Sequence, residues 1–132
     1  MIKRWRDAAV TGDVSSTAAI LGGGGDVNAN DKYGQTALML AAMHGQYEVV
    51  KLLIGAGANL DVTAKYGLSA LMLAVVNHHD AIARDLAAAG ADLTLRGTGA
   101  PGFFDKTAAD LAEDNGQNDL ADHIRTSEAE GG

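Results

Sequence analysis

The residues of this chain that could do chemistry are few, and each set lacks a part that its chemistry needs. Four histidines, His44, His78, His79 and His123, are the candidates for a metal site. Such a site needs three or four ligands converging at about 2 Å. No His-x3-His pair occurs, and the adjacent His78 and His79 diverge in any regular helix. The chain has no cysteine, which excludes thiolate ligands, disulfides and a cysteine nucleophile. No metal and no cofactor are expected, and the histidines read as residues of solvated turns. The run Gly22-Gly23-Gly24-Gly25 has the composition of a phosphate cradle. It lacks the Lys-Ser/Thr that follows in nucleotide-binding loops, and it falls where a helix ends, at the negative end of the dipole. Acid-base catalysis needs a buried carboxylate in a pocket, and nothing in the pattern supplies one. Ser15, Ser16 and Ser127 lie near the ends, and Ser69 stands at a helix-cap position. The chain therefore reads as a protein that is not an enzyme.

What remains are side chains suited to contact. Tyr33 and Tyr66 share a register, and Lys32 and Lys65 precede them. Tyrosine gives large, stiff contact area and is enriched in binding hot spots. At a loop tip it can equally pack on its neighbour and stabilise the turn. Phe103 and Phe104, the only phenylalanines, are adjacent in a Gly-rich stretch. They form either a partner-binding knob or a cover over the core. From residue 97 on stand Asp105, Asp110, Glu113, Asp114, Asp119, Asp122, Glu128 and Glu130, against Lys106 and Arg125 only. This acidic end is either a solvated cap or a surface that steers a basic partner.

The elements that position these residues follow from composition and period. The chain has 132 residues, 10 Lys+Arg and 17 Asp+Glu, for a net charge of −7. That length suits one domain. The acidic balance argues against nucleic acid and anionic membranes as partners. No apolar run approaches the roughly 20 residues that span a bilayer. The charged start, Lys3-Arg4-Trp5-Arg6-Asp7, predicts no secretory leader. A cytoplasmic, monomeric protein is expected. With 17 Gly, one Pro and 5% aromatics, the core must be built from thin, Ala- and Leu-rich helices.

The sequence repeats itself every 33 residues. Lys32-Tyr33-Gly34 returns as Lys65-Tyr66-Gly67, and Thr36-Ala37-Leu38-Met39-Leu40-Ala41 returns as Ser69-Ala70-Leu71-Met72-Leu73-Ala74. Aligned without a gap, 31–63 and 64–96 are identical at 13 of 33 positions. Thr107-Ala108-Ala109-Asp110-Leu111-Ala112 carries the motif on after a five-residue insertion within 97–106. Four units result, about 1–30, 31–63, 64–96 and 97–125, within one domain of residues 1–125. Residues 126–132 read as a flexible acidic tail. Each unit predicts two short helices. Thr36, Ser69 and Thr107 cap the first, and Thr107 with Asp110 makes a capping box. Leu38, Ala41 and Ala42 fall on one face of the first helix, and Val49, Leu52 and Leu53 on one face of the second. One such pair cannot bury its own apolar face, whereas stacked pairs can.

Residues 31–59 closely resemble the ankyrin repeat, and the resemblance runs from about Trp5 to Arg125. It implies an all-α solenoid of stacked helix-turn-helix units with protruding hairpin or turn loops. Some positions depart from the family. Thr36-Ala37-Leu38-Met39 stands for Thr-Pro-Leu-His, which removes a histidine that often bonds neighbouring repeats. His78 replaces the glycine at Gly45, and Asp85 replaces the apolar residue at Leu52, implying a partly wet helix face. The resemblance further implies a protein-binding adaptor that uses its concave side. By position, the hairpin tips are Lys32, Tyr33, Gln35, Lys65, Tyr66 and Leu68. The helix-edge residues are Val10, Thr11, Met43, His44, Val76, Asn77, Asp114 and Asn115. Phe103 and Phe104 complete the candidate surface. The alternative is an enzyme inhibitor or regulatory subunit acting through the acidic end, with Asp119 and Asp122.

Overall fold

Four helix starts in this chain are capped by short polar side chains. The computed structural model describes residues 1–131. Thr36 Oγ1 accepts from Met39 N at 3.2 Å and Ser69 Oγ from Met72 N at 3.3 Å, opening α3 (Ala37–Met43) and α5 (Ala70–Val76). Thr107 opens α7 (Ala108–Asp114) with the full capping box, because Asp110 Oδ2 accepts from Thr107 N at 3.1 Å in return. These caps satisfy amides that would otherwise be orphaned at a buried helix start. Asp13 caps α2 (Val14–Gly22), and the Ser16 amide it accepts from lowers the Asp13 carboxyl below its ordinary value. The remaining helices are α1 (Lys3–Thr11), α4 (Tyr47–Gly55), α6 (Asp80–Ala88) and α8 (Asn118–Gly131).

The helices form four antiparallel pairs, α1/α2 to α7/α8. The first helices stack in the order α1, α3, α5, α7 and the second in the order α2, α4, α6, α8. No strand forms among the described residues. Only the bridges Asn30–Thr36 and Gly97–Phe104 remain of the expected hairpins, which are therefore turns. No described helix is long and apolar enough to cross a membrane.

The core is deeper on the first helices than a single apolar face predicts. In α3, Met39 and Leu40 are buried together with Leu38, Ala41 and Ala42. An inner helix has neighbours on both sides, α1 and α5, besides its own partner α4. The small Ala9, Ala41, Ala74 and Ala112, all fully buried, allow that close stacking. Each fully buried Leu or Met contributes on the order of 2 kcal/mol. Unit one is closed by Trp5, which is buried and donates Nε1–H to Asp26 O at 3.3 Å.

Two departures in the second helices have physical reasons. Asp85 is half-buried and lies against the Tyr47 hydroxyl of the preceding repeat, and that bond raises the phenol above its ordinary range. Leu120, Ala121 and Ile124 bury the inner face of α8, while Asp119, Asp122 and His123 face solvent. Residues 126–131, expected as a flexible tail, instead continue α8 in helical conformation, with Ser127 Oγ donating to His123 O at 2.9 Å. Their Glu and Ala are good helix formers. Gly132 of that tail lies outside the described residues.

Candidate protein-binding surface

The loop before α3 is shaped by one carboxylate. Asp31 Oδ1 accepts from the amides of Tyr33 and Gln35, both at 2.9 Å. This Asx turn holds Lys32 and Tyr33 outward. Tyr33 is 63% exposed, and Lys32 Nζ lies 5.1 Å from the centre of its ring. Asp31 Oδ2 is buried without a hydrogen bond, 3.8 Å from Arg6 Nε. Gln35 is half-buried.

The next loop differs because Ala64 stands at the position of Asp31 and cannot make that turn. Lys65–Gly67 forms a single 3-10 turn, with Tyr66 at φ 63°, in the left-handed region that non-glycine residues avoid. Two contacts hold Tyr66 there. Its carbonyl accepts from Thr98 N at 2.7 Å, and its ring packs on Phe103 with centroids 5.6 Å apart. Lys65 Nζ lies 4.9 Å from the ring centre. Tyr66 is 36% exposed, so Tyr66 combines a contact surface with a turn-stabilising role.

The inserted segment is an ordered turn. Gly97 N donates to Lys106 O and Asp105 N to Gly97 O, both at 2.9 Å, while the Phe103 and Phe104 amides both donate to Ala100 O. These bonds split the two phenylalanines. Phe103 is half-buried against Tyr66, and Phe104 is 65% exposed.

Leu68 requires a correction. Expected at an exposed tip, it is only 5% exposed and packs in the core. It directly precedes the Ser69 cap, where the chain has already turned inward. Met43 and Val76 are half-buried at the ends of α3 and α5, beside the exposed His44 and Asn77. Val10 is half-buried and Thr11 exposed at the end of α1. Asp114 is paired with Lys106, and Asn115 Nδ2 reaches Val75 O at 3.5 Å.

Bonds between repeats supply a feature that pattern reading missed. Gln46 Nε2 donates to Val10 O at 2.8 Å, and one period later His79 Nε2 lies 3.2 Å from Met43 O. A second register runs through the opposite loops. Asn59 N donates to Asn28 Oδ1 at 2.7 Å and Asp92 N to Asp61 Oδ1 at 2.8 Å. The only signal in the sequence is that positions 46 and 79, and 28 and 61, carry polar side chains one period apart. His79 is thus a half-buried bonding residue, not the solvated turn residue expected of it.

The acidic end is partly neutralised. Arg125 spans Asp110 at 3.1 Å and Glu113 at 2.7 Å. The Thr107 amide holds the Asp110 carboxyl below its usual range, with Arg125 adding to the effect. No group of three or more His, Asp or Glu able to hold a metal comes together among the described residues. A surface recess of about 550 Å³ between α6 and α8 is lined by Ala87, Leu93 and Ser127 and lies apart from the tips.

The family model described as ankyrin repeats, in three copies, matches residues 6–96. No curated protein matches the chain in sequence. Among solved structures, the chain is similar to one belonging to the complex of Bd0816, a predatory endopeptidase from Bdellovibrio bacteriovorus, with immunity protein Bd3460. The two are 31% identical with a TM-score of 0.82. The match covers 93% of this chain and 62% of the length of the other.

Proposed function

The chain belongs to the ankyrin-repeat family, a family of protein-interaction modules, and from that premise we propose that its turn tips and first-helix ends form the surface that binds a protein partner. One observation carries this reading. Tyr33 and Tyr66, one period apart, are both exposed with a lysine ammonium over each ring, and Tyr33 is the more exposed at 63%. Met43, His44, Val76 and Asn77 extend the surface along the helix ends. The module acts by binding and not by catalysis, as a monomer in the cytoplasm, with neither nucleic acid nor membrane as partner.

The test is affinity capture of the partner with the wild type and with Tyr33→Ala/Tyr66→Ala. Loss of capture with unchanged helicity by circular dichroism supports the surface. Equal capture moves the site away from the tips.

A second reading is favoured by the similar solved chain, which belongs to a complex between an endopeptidase and an immunity protein. Here the partner is an enzyme that the module inhibits through its acidic end, where Asp119 and Asp122 are exposed. Inhibition would then weaken steeply with salt and with Asp119→Asn/Asp122→Asn. Salt-independent inhibition would leave only the tip surface.

A further inference from the structure

Of the ten cations of this acidic chain, five stand in ion pairs and five do not among the described residues. Lys3 pairs with Asp7, Arg6 with Asp31, Arg96 with Asp105, Lys106 with Asp114, and Arg125 with Asp110 and Glu113. Lys32 and Lys65 make no ion pair among the described residues, although the chain holds 17 carboxylates. Arg4, Lys51 and Arg84 are likewise unpaired, but they lie on α1, α4 and α6, away from the tips.

Lys32 and Lys65 are held instead by the faces of Tyr33 and Tyr66, at 5.1 and 4.9 Å. An aromatic face attracts an ammonium without using up its three N–H donors. The result is two positioned, exposed and unneutralised cations at equivalent places in successive repeats. Beside the second, Phe103 packs on Tyr66 and Phe104 stands 65% exposed. The two tips therefore offer charge to an anion and a ring surface to an apolar side chain.

We propose that this row docks an extended acidic segment of a partner protein, with carboxylates on Lys32 and Lys65 and an apolar or aromatic side chain against Tyr66, Phe103 and Phe104. The proposal rests on the reading of the tips as the partner surface and adds the chemistry of the partner. Stacked helices lie about 8–10 Å apart. A segment in the extended polyproline II conformation rises about 3.1 Å per residue and brings every third side chain to one face. The matching carboxylates are then about three residues apart, in a Glu-x-x-Glu pattern. A nucleic acid offers anions as well, but it carries a charge at every phosphate and is repelled over its length by a chain whose net charge is −7.

The experiment is an amide chemical-shift titration of the full chain with a synthetic Glu-Ser-Ser repeat peptide bearing one Phe. The same peptide with Gln for Glu, and a single-stranded DNA oligonucleotide, serve as comparisons. The expected result is shifts confined to residues 32–35, 65–67 and 97–105. The Gln peptide and the Lys32→Glu/Lys65→Glu variant each weaken binding at least tenfold. Equal binding of the Gln peptide at the same amides overturns the acidic segment while leaving the tip surface standing. Shifts elsewhere, or no binding of the Glu peptide, also overturn it, as does tighter binding of the oligonucleotide at the same amides. Full partner capture by Lys32→Glu/Lys65→Glu, with capture lost in Tyr33→Ala/Tyr66→Ala, rejects the acidic segment alone.

Discussion

The Nε2 of His79 lies 3.2 Å from the carbonyl oxygen of Met43, across the boundary between the second and third repeats. Gln46 and Val10 make the same bond across the boundary before it. The glycine that follows each first helix makes room for it. A Cβ on Gly45 would lie 2.6 Å from His79 Cε1, and one on Gly12 would lie in contact with Gln46 Oε1. The repeats are therefore tied by the side chain of the residue that precedes each second helix, in a chain that lacks the family's histidine at position 39. The third boundary breaks the register. His78 replaces the glycine, at φ 61°, and Gln117 bonds Asp80 instead, with its own Oε1 left buried and unpaired.

Gly45→Ala is expected to destabilise the chain by about 1–3 kcal/mol, since it meets both the His79 ring and a φ of 73°. Gly55→Ala, at the end of α4 with open space around it, is expected to stabilise by about 0.4–1 kcal/mol. Thermal melts of the two variants should move in opposite directions. A Gly45→Ala variant as stable as wild type would remove the packing argument for this position.

His78→Gly should raise stability by about 0.5–1 kcal/mol. The left-handed conformation costs a side-chain-bearing residue about 1–2 kcal/mol, and the extra backbone freedom of glycine takes back about 0.5–1 kcal/mol. Urea unfolding measures the difference, and a loss of stability would mean that His78 makes a compensating contact.

Leu68→Ala is expected to cost about 2–5 kcal/mol, as for a buried leucine. Phe104→Ala should stay within about 0.5 kcal/mol of wild type, as for an exposed residue. If Phe104→Ala instead unfolded the chain, the inserted turn would be a core cover and not a contact feature.

The stability contributed by Asp110 is expected to depend on pH. Its folded carboxyl lies below its ordinary value because the Thr107 amide bonds the ionised form. Such a group stabilises above the unfolded carboxylate value, about 3.9, and the contribution is lost as pH falls through the lower folded value. Asp110→Asn should therefore weaken the fold at pH 7 and converge with wild type in strong acid. The effect is less than about 1 kcal/mol, because a side chain 40% exposed is well screened. Urea melts at a series of pH values check it, and a difference that grows toward acid would reverse the assignment.

The sequence by itself determined the period, the helix pairs, the caps at Thr36, Ser69 and Thr107, and the register shared by Tyr33 and Tyr66. These are local features, written in spacings of three, four and 33 residues. It also marked Asp85 as an exception, but not the Tyr47 hydroxyl that accounts for it. The tertiary structure alone decided the burial of Leu68, the separation of Phe103 from Phe104, and the bonds from Gln46 and His79 to the preceding repeat. It also decided that Ala64, in place of Asp31, leaves Tyr66 at positive φ against the inserted turn. Each of these depends on what a neighbouring repeat places within a few ångströms. A periodic sequence states that repeats stack, but not which side chain crosses the boundary between them.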